Sequence, residues 1–196
     1  MGLVIVDVSP SVDGYVAGPG VSVAEPFGDA GLRLHRWLGF EATPTEADRE
    51  QAERMFATAG AVVLGRRMFE VGIGTWGPDG AFGLPSFVVT RRPHEPVVKG
   101  PTTFTFVTTG VPGALDQARE AAGSKDVVVA GGADIIQQCL AAGLADELRL
   151  HVAPVLLGGG TSLFGGPPAR RAELEQAGVL TTAHATHLTF QLAPSR

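Results

Sequence analysis

Residues 126–143 read DVVVAGGADIIQQCLAAG, and this stretch decides the fold. Three consecutive valines follow Asp126, which predicts a short strand buried on both faces. The two glycines after it predict a tight turn. The apolar residues beyond recur at helical spacing until Gly143, where a helix should end. A strand, a glycine turn and a helix form the repeating unit of a parallel α/β fold.

The same alternation extends to both sides of this stretch. Upstream, strands are predicted at residues 3–8, 61–65, 85–90 and 104–108, and helices at residues 45–58, 66–72 and 111–123. Residues 10–44 are predicted as loop, with a helical turn at 31–40. Downstream follow a strand at 146–157, which Pro154 interrupts or ends, and an antiparallel pair at 173–180 and 184–192. The pattern predicts one α/β domain over residues 1–196, with a mostly parallel central sheet, helices on both faces and an antiparallel C-terminal edge.

Composition excludes several classes of function. The net charge of −5 and the pI near 5.5 give no bulk electrostatic support for binding nucleic acid. Cys139 is the only cysteine, which excludes an intramolecular disulfide and a cysteine-rich zinc site, and no histidine spacing indicates another metal site. No apolar run approaches the roughly 18 residues of a membrane span. Without a basic N-terminal signal either, we expect a cytoplasmic protein that does not bind membranes.

Glycine and arginine residues follow three of the predicted strands. The segments are Gly65-Arg66-Arg67, Thr90-Arg91-Arg92 and Gly131-Gly132. In parallel sheets ligands bind at the carboxyl ends of strands, where glycine lets a phosphate approach the backbone and arginine adds a forked cationic donor. Two such segments together suit the pyrophosphate and 2′-phosphate of a dinucleotide. Each segment alone is equally typical of a purely structural turn.

Five segments resemble, in order and spacing, the dihydrofolate reductase superfamily. They are SVDGYVAG (11–18), AVVLGRRMFE (61–70), FVVTRRP (87–93), VVVAGGADIIQQCL (127–140) and DELRLHVAPVLLGGGTSLF (146–164). The last segment resembles most the reductase domain of the bifunctional riboflavin-biosynthesis deaminase–reductase and its stand-alone bacterial relatives. The resemblance implies the three-layer dihydrofolate-reductase-like fold, with NADPH as the cofactor.

The resemblance also implies which residues bind NADPH. By position they come from all three strand ends, namely Gly65, Arg66, Arg67, Thr90, Arg91, Gly131, Gly132 and Ala133. Two positions at these strand ends depart from the family pattern: Met68 stands where a threonine usually contacts phosphate, and Ala133 replaces a common third glycine.

The candidates on the substrate side lie in the first forty residues. The resemblance implies that Ser11 and Asp13, with the loop through Gly18, close over the nicotinamide and the substrate. His35 and Trp37, in the predicted insertion at 31–40, either stack on a planar substrate or pack this insertion down.

The resemblance further implies a carboxylate that the helix at 45–58 presents to a pterin. Alignment back from Gly65 places Arg49 at this position, between Asp48 and Glu50. These two acids are therefore the candidates for the catalytic carboxylate, and the departure weakens the case for folate as the substrate.

His151 is the third catalytic candidate. Strand alternation places it with Arg149 on the face opposite Leu148 and Val152, and the resemblance places that face beside the substrate. A histidine there suits hydrogen bonding to a heterocycle or a proton relay near neutral pH. The alternative is a core histidine whose ring binds a backbone carbonyl.

Together these residues predict an NADPH-dependent reductase that transfers hydride to a C=N or C=O carbon of a planar heterocycle, of the pterin or ribosylaminopyrimidine type. Hydride transfer is the chemistry of the cofactor, so the absence of a nucleophile or metal triad in the sequence fits. The alternative is a non-catalytic nucleotide-binding module that kept the reductase fold. We expect a homodimer, formed through residues 143–160.

Overall fold

A central sheet organises the protein, which a computed structural model describes for residues 2–165 and 173–192. In these residues the strands are β1 (Val4–Val8), β2 (Tyr15–Ala17), β3 (Ala59–Gly65), β4 (Ser86–Val89), β5 (Val97–Lys99), β6 (Thr102–Val107), β7 (Asp126–Gly131), β8 (Glu147–Val152), β9 (Thr161–Ser162), β10 (Leu174–Thr181) and β11 (Thr186–Leu192). The helices are α1 (Glu46–Ala57), α2 (Arg66–Gly72), α3 (Gly110–Ala122) and α4 (Ala133–Ala141), with a 3₁₀ helix at Gly31–Leu38. The expected domain over 1–196 also includes residues 1, 166–172 and 193–196, which lie outside the described residues.

The large sheet has nine strands in the order β10-β11-β8-β1-β7-β3-β4-β6-β5. From β8 to β6 all neighbours are parallel. The β10–β11 hairpin adds antiparallel strands beside β8, and β5 pairs antiparallel with β6. The predicted parallel sheet with an antiparallel C-terminal edge is confirmed. The sequence does not predict β5 or the separate β2–β9 pair, because such short strands carry no readable alternation.

Local sequence explains where the elements begin and end. Thr45 caps α1 through a capping box, in which its hydroxyl accepts from the Asp48 N–H and the Asp48 carboxylate accepts from the Thr45 N–H. Gly132 is the N-cap of α4, and Gly143 follows this helix in the left-handed conformation that favours glycine.

Helices cover both faces of the sheet, which gives three layers. On one face α3 and α4 pack on alternate residues of the parallel strands, such as Val6 and Val129. Cys139 of α4 lies in this core, where burial raises the pKa of its thiol to about 12. On the other face α2 packs on Val62 and Leu64 of β3 through Phe69. Asp7 and His151 belong to this second face, which α1 and the 3₁₀ helix also cover.

The position of β8 bears on the expected dimer contact, which stays a prediction. We expected residues 143–160 to form a dimer contact, but β8 lies inside the sheet between β1 and β11, and Leu148 and Leu150 are buried in the core. The segment after β8 is more open to another molecule, and Leu156 is its most exposed apolar residue.

Candidate functional site

The three predicted cofactor segments meet at one edge of the sheet. Gly131 ends β7, Gly65 ends β3, and Thr90 follows β4, while β3 pairs with both of the other strands. A Cβ atom on Gly65 would lie 3.5 Å from the backbone nitrogen of Gly132, so the two glycine turns are in contact. The carboxyl ends of these parallel strands therefore form one continuous surface.

The glycine turn after β7 leaves room for a ligand. Gly131 has a φ of +131°, which favours glycine, and its peptide bond to Gly132 is cis. A Cβ on Gly131 would meet the Met68 sulfur at 3.2 Å, but a Cβ on Gly132 would meet no atom within 4 Å. As the N-cap of α4, Gly132 provides no side-chain hydrogen bond, so backbone amides of the first turn are left for another acceptor. Ala133 begins this helix and is buried.

The arginine side chains at this edge differ in the contacts that they make within the protein. The Nε of Arg66 donates to Glu70 Oε1 at 2.7 Å, and its guanidinium lies 5.1 Å from the centre of the Phe106 ring. Arg67 donates to the carbonyl of Val21 at 3.2 Å, which ties the loop before the 3₁₀ helix to α2. In the described part of the chain, Arg91 is exposed and makes no hydrogen bond or ion pair. Of the arginines that the resemblance assigns to NADPH, Arg91 is therefore the one whose guanidinium is not engaged within the described residues.

Thr90 does not reach into this space in the free protein. Its hydroxyl accepts from the backbone N–H of Arg92 at 3.1 Å and also contacts the Arg92 carbonyl. This local turn fixes the backbone from which the Arg91 side chain projects.

We call the sheet edge at the ends of β7, β3 and β4 the cofactor edge. Next to it, four buried side chains form what we call the polar cluster: Asp7 of β1, His151 of β8, His187 of β11 and Asp48 of α1. His151 Nε2 lies 2.9 Å from Asp7 Oδ1, His151 Nδ1 lies 2.6 Å from His187 Nδ1, and His187 Nε2 lies 3.4 Å from Asp48 Oδ1. Each of the four residues is at most 5% exposed. The cluster lies at the carboxyl ends of β1 and β8, and β1 is the direct neighbour of β7.

The 3₁₀ helix covers this cluster with Trp37. The indole is fully buried, its ring centre lies 4.1 Å from that of His151, and its Nε1 donates to Ser9 Oγ at 3.0 Å. Of the two alternatives for Trp37, the structure therefore favours packing of the insertion. His151, expected to face a substrate pocket, instead lies beneath this indole, and its partners are side chains and not a backbone carbonyl.

His35 also packs within the insertion. Its ring lies against Phe27 and Phe40, with ring centres 4.7 and 6.0 Å away. Its buried Nδ1 has no hydrogen-bond partner in the described residues, and burial lowers the pKa of His35 to about 4. The ring is thus neutral near pH 7, and a contact of His35 with substrate stays a prediction.

Of the two candidate acids on α1, Asp48 and Glu50, the structure brings only Asp48 to the cluster. Glu50 and Arg49 are exposed, while Asp48 is fully buried. Burial raises the pKa of the Asp48 carboxyl, but hydrogen bonds from Thr182, Thr45 and His187 outweigh it and hold this pKa below its ordinary value. Asp48 is therefore a carboxylate at neutral pH.

Arg149 extends the charged network along β8. Its Nε donates to Glu147 Oε1 at 2.6 Å, and its guanidinium lies 3.9 Å from Asp7 Oδ2. That Asp7 oxygen is buried and accepts no hydrogen bond within the part of the chain that is described.

Ser11 and Asp13 lie on a loop that is tied to the segment after β8. The Ser11 hydroxyl donates to Asp13 Oδ1 at 2.5 Å, and the Asp13 carboxylate accepts from the N–H groups of Leu157 and Gly158. The hydrogen bond from Ser11, with those from the backbone, lowers the pKa of Asp13. Both residues thus build the loop, and a contact of either with substrate stays a prediction.

The sequence did not single out Asp7 or His187. The available signal was strand alternation: β11 places Leu188 and Phe190 on the core face, so His187 faces the same side as His151. Among the described residues no group of three or more His, Cys, Asp or Glu side chains is arranged to hold a metal ion, and no helix is both long and apolar enough to cross a membrane.

Comparison with known proteins identifies the family. The structure of a Shewanella sp. PV-4 protein assigned to riboflavin biosynthesis matches with a TM-score of 0.74 and 22% identity over 97% of this chain and 99% of that one. Dihydrofolate reductase from Enterococcus faecalis, complexed with NADP(H), matches with a TM-score of 0.60 and 16% identity over 97% and 96%. RibD from Acinetobacter baumannii matches with a TM-score of 0.63 and 17% identity, over 98% of this chain but 58% of that one.

These structures share the dihydrofolate-reductase-like fold with this protein. No curated protein matches its sequence. The family model described as the RibD C-terminal domain matches residues 3–188, and the chain therefore belongs to that family.

Proposed function

We propose that the protein is an NADPH-dependent reductase that transfers hydride to a C=N or C=O carbon of a planar heterocycle, of the pterin or ribosylaminopyrimidine type. The observation that carries this proposal is the meeting of the glycine and arginine segments at the ends of β7, β3 and β4. The family and the solved dihydrofolate reductase complexed with NADP(H) support it.

The residues at the sheet edge fit a dinucleotide phosphate. The space over Gly132 is open, so a phosphate would reach the amides that begin α4. Arg91 would supply a cation and two parallel donors to the 2′-phosphate, because no internal partner holds it among the described residues. Arg66, held by Glu70 over Phe106, would present its remaining N–H groups from a fixed position. NADPH, when bound, supplies the hydride.

The substrate would lie where β1 and β8 end, beside the polar cluster. Reduction of a C=N bond leaves a nitrogen that needs a proton, and the cluster holds the buried histidines and carboxylates nearest to this edge. Because Trp37 covers His151, a substrate that contacts the cluster requires the 3₁₀ helix to shift.

The test is NADPH binding followed by turnover. We expect NADPH to quench or shift the protein fluorescence saturably, and its absorbance to fall in the presence of one member of a panel of pterins, pyrimidinones and quinones. No binding of NADPH would overturn the proposal.

A non-catalytic nucleotide-binding module is the second candidate, and the full burial of Trp37 over the polar cluster favours it. Saturable binding of NADPH without oxidation across the whole panel would support this module over the reductase.

A further inference from the structure

The contact between His151 and His187 constrains where protons reside. Their two Nδ1 atoms lie 2.6 Å apart, which is a hydrogen-bond distance between two nitrogens. An imidazole nitrogen is either a donor with a proton or an acceptor with a lone pair. Two lone pairs, or two N–H groups, would repel at this distance. One of the Nδ1 atoms must therefore carry a proton and the other must not.

The Nε2 atoms of the two rings determine how many protons the pair holds in total. His151 Nε2 faces Asp7 Oδ1 at 2.9 Å, and His187 Nε2 faces Asp48 Oδ1 at 3.4 Å. An ionised carboxylate only accepts hydrogen bonds, so each Nε2 has to carry a proton. The two rings then hold three N–H protons between them. Two neutral rings hold only two, so this arrangement carries one positive charge.

The surroundings balance that single charge. Asp7 faces the pair from β1 and Asp48 from α1, while the guanidinium of Arg149 on β8 lies 3.9 Å from the outer oxygen of Asp7. From the 3₁₀ helix, His35 contributes a neutral ring, and the indole of Trp37 lies against His151, which favours a cation there. Thr45 donates to Asp48 Oδ2 through both its N–H and its hydroxyl.

A second extra proton is not accommodated. Burial, and then the charge of His151, lower the pKa of His187. With both rings fully protonated, two N–H groups would face each other at 2.6 Å. The pair therefore takes up one extra proton and excludes the next.

We propose that His151 and His187 share one proton between the carboxylates of Asp7 and Asp48, and that His187 is a positioning residue that keeps His151 charged for the reduction. The second half of this inference rests on the proposed function. Hydride addition places two electrons on the carbon of a C=N bond, and the nitrogen then takes one proton. In that step the 3₁₀ helix has to shift Trp37 away from His151 so that the nitrogen can reach the pair. The pair then gives one N–H proton to that nitrogen, becomes two neutral rings and regains a proton from solvent, so each turnover consumes one NADPH and one H⁺.

The shared proton is tested on the whole wild-type chain with ¹⁵N-labelled histidine. At neutral pH we expect the two rings to hold three N–H protons, one on each Nε2 and one between the two Nδ1 atoms, with a low-field resonance for the proton between them. His184, whose ring contacts the Thr43 carbonyl, is the internal control and should show no low-field proton shared with another ring. Only two N–H protons on the pair, or no proton between the Nδ1 atoms, would overturn the shared proton.

The positioning role is tested with His187→Gln and His187→Asn. Glutamine places its amide where Nε2 faces Asp48, and asparagine places its amide where Nδ1 faces His151, but neither holds the extra proton. We expect kcat to fall by about tenfold or more, with a changed pH profile and an unaltered KM for NADPH. His184→Gln should match wild type. A pH profile identical to wild type in both His187 variants would overturn the role.

The two proposals fail separately. If wild type oxidises no NADPH with any substrate, the reductase and the positioning role fall, while the NMR count of ring N–H protons still decides the shared proton. Because that measurement uses wild type, it also stands if a His187 variant does not fold.

Discussion

Replacement of Arg91 by alanine should separate the two nicotinamide dinucleotides. Arg91 is exposed and, in the described residues, makes no hydrogen bond or ion pair, so its loss should change the free energy of unfolding by no more than about 0.5 kcal/mol. A hydrogen bond between charged groups is worth about 1.5–3 kcal/mol, which corresponds to a roughly 10- to 150-fold rise in the Kd for NADPH. The Kd for NADH, which lacks the 2′-phosphate, should stay within about twofold.

The assay is fluorescence titration of both cofactors at low and high salt. The rise in the Kd for NADPH caused by Arg91→Ala should be smaller at high salt, because salt screens the exposed charge of Arg91. Arg91→Lys keeps the positive charge but loses the two parallel guanidinium donors, so its Kd for NADPH should lie between those of wild type and the alanine variant. Arg92→Ala is the matched control, because Arg92 is the adjacent exposed arginine and binds Thr90 only through its backbone. Equal weakening of NADPH and NADH would refute the assignment of Arg91 to the 2′-phosphate.

Three further substitutions test the glycine turn after β7, the packing of Trp37 and the buried carboxylate of Asp48. Gly132→Val should raise the Kd for NADPH at least about tenfold, because the side chain fills the open space over the turn. Gly74→Val, which also places its side chain in open space, should leave this Kd unchanged. If Gly132→Val binds NADPH as wild type does, the turn only connects β7 to α4. Trp37→Ala should lower the free energy of unfolding in urea by about 3–5 kcal/mol, since the indole is fully buried, and a loss below about 1 kcal/mol would contradict its packing role. Asp48→Asn should lower the free energy of unfolding at neutral pH, because the lowered pKa of Asp48 stabilises the fold while the carboxyl is ionised. The difference in free energy between wild type and variant should shrink below about pH 4. A difference that is constant with pH would argue against this.

The cofactor edge was readable from sequence because its signal is local. Each apolar strand stops at a glycine or a threonine, and an arginine or a helix follows within two residues. Which strands are neighbours was not readable. β7 lies beside β3 in the sheet although β4, β5 and β6 come between them in the chain.

Sequence reasoning named His151 and Asp48 but not their assembly with Asp7 and His187, because the contacts of the polar cluster are long-range. Asp7 and His151 are 144 residues apart, and Asp48 and His187 are 139 apart. The pairing of His187 with His151 depends on the register between β8 and β11, which no local pattern reveals. The choice between Asp48 and Glu50 was open to a closer reading, since Thr45 and Asp48 have the spacing of a capping box, and that box turns Asp48 toward the start of the helix.

The central place of β1 has a consequence for how the chain is made. β1 pairs with β7 and β8, so its hydrogen-bonding partners do not exist until synthesis has passed Asp126 and then Glu147. Until then VIVDV is an apolar β-forming segment with both edges unpaired, the kind of sequence that associates with other chains. Contacts between such distant residues also slow folding, because long loops must close before the sheet forms. The nascent protein is therefore expected to depend on chaperone protection of its first strand until the second half of the chain emerges.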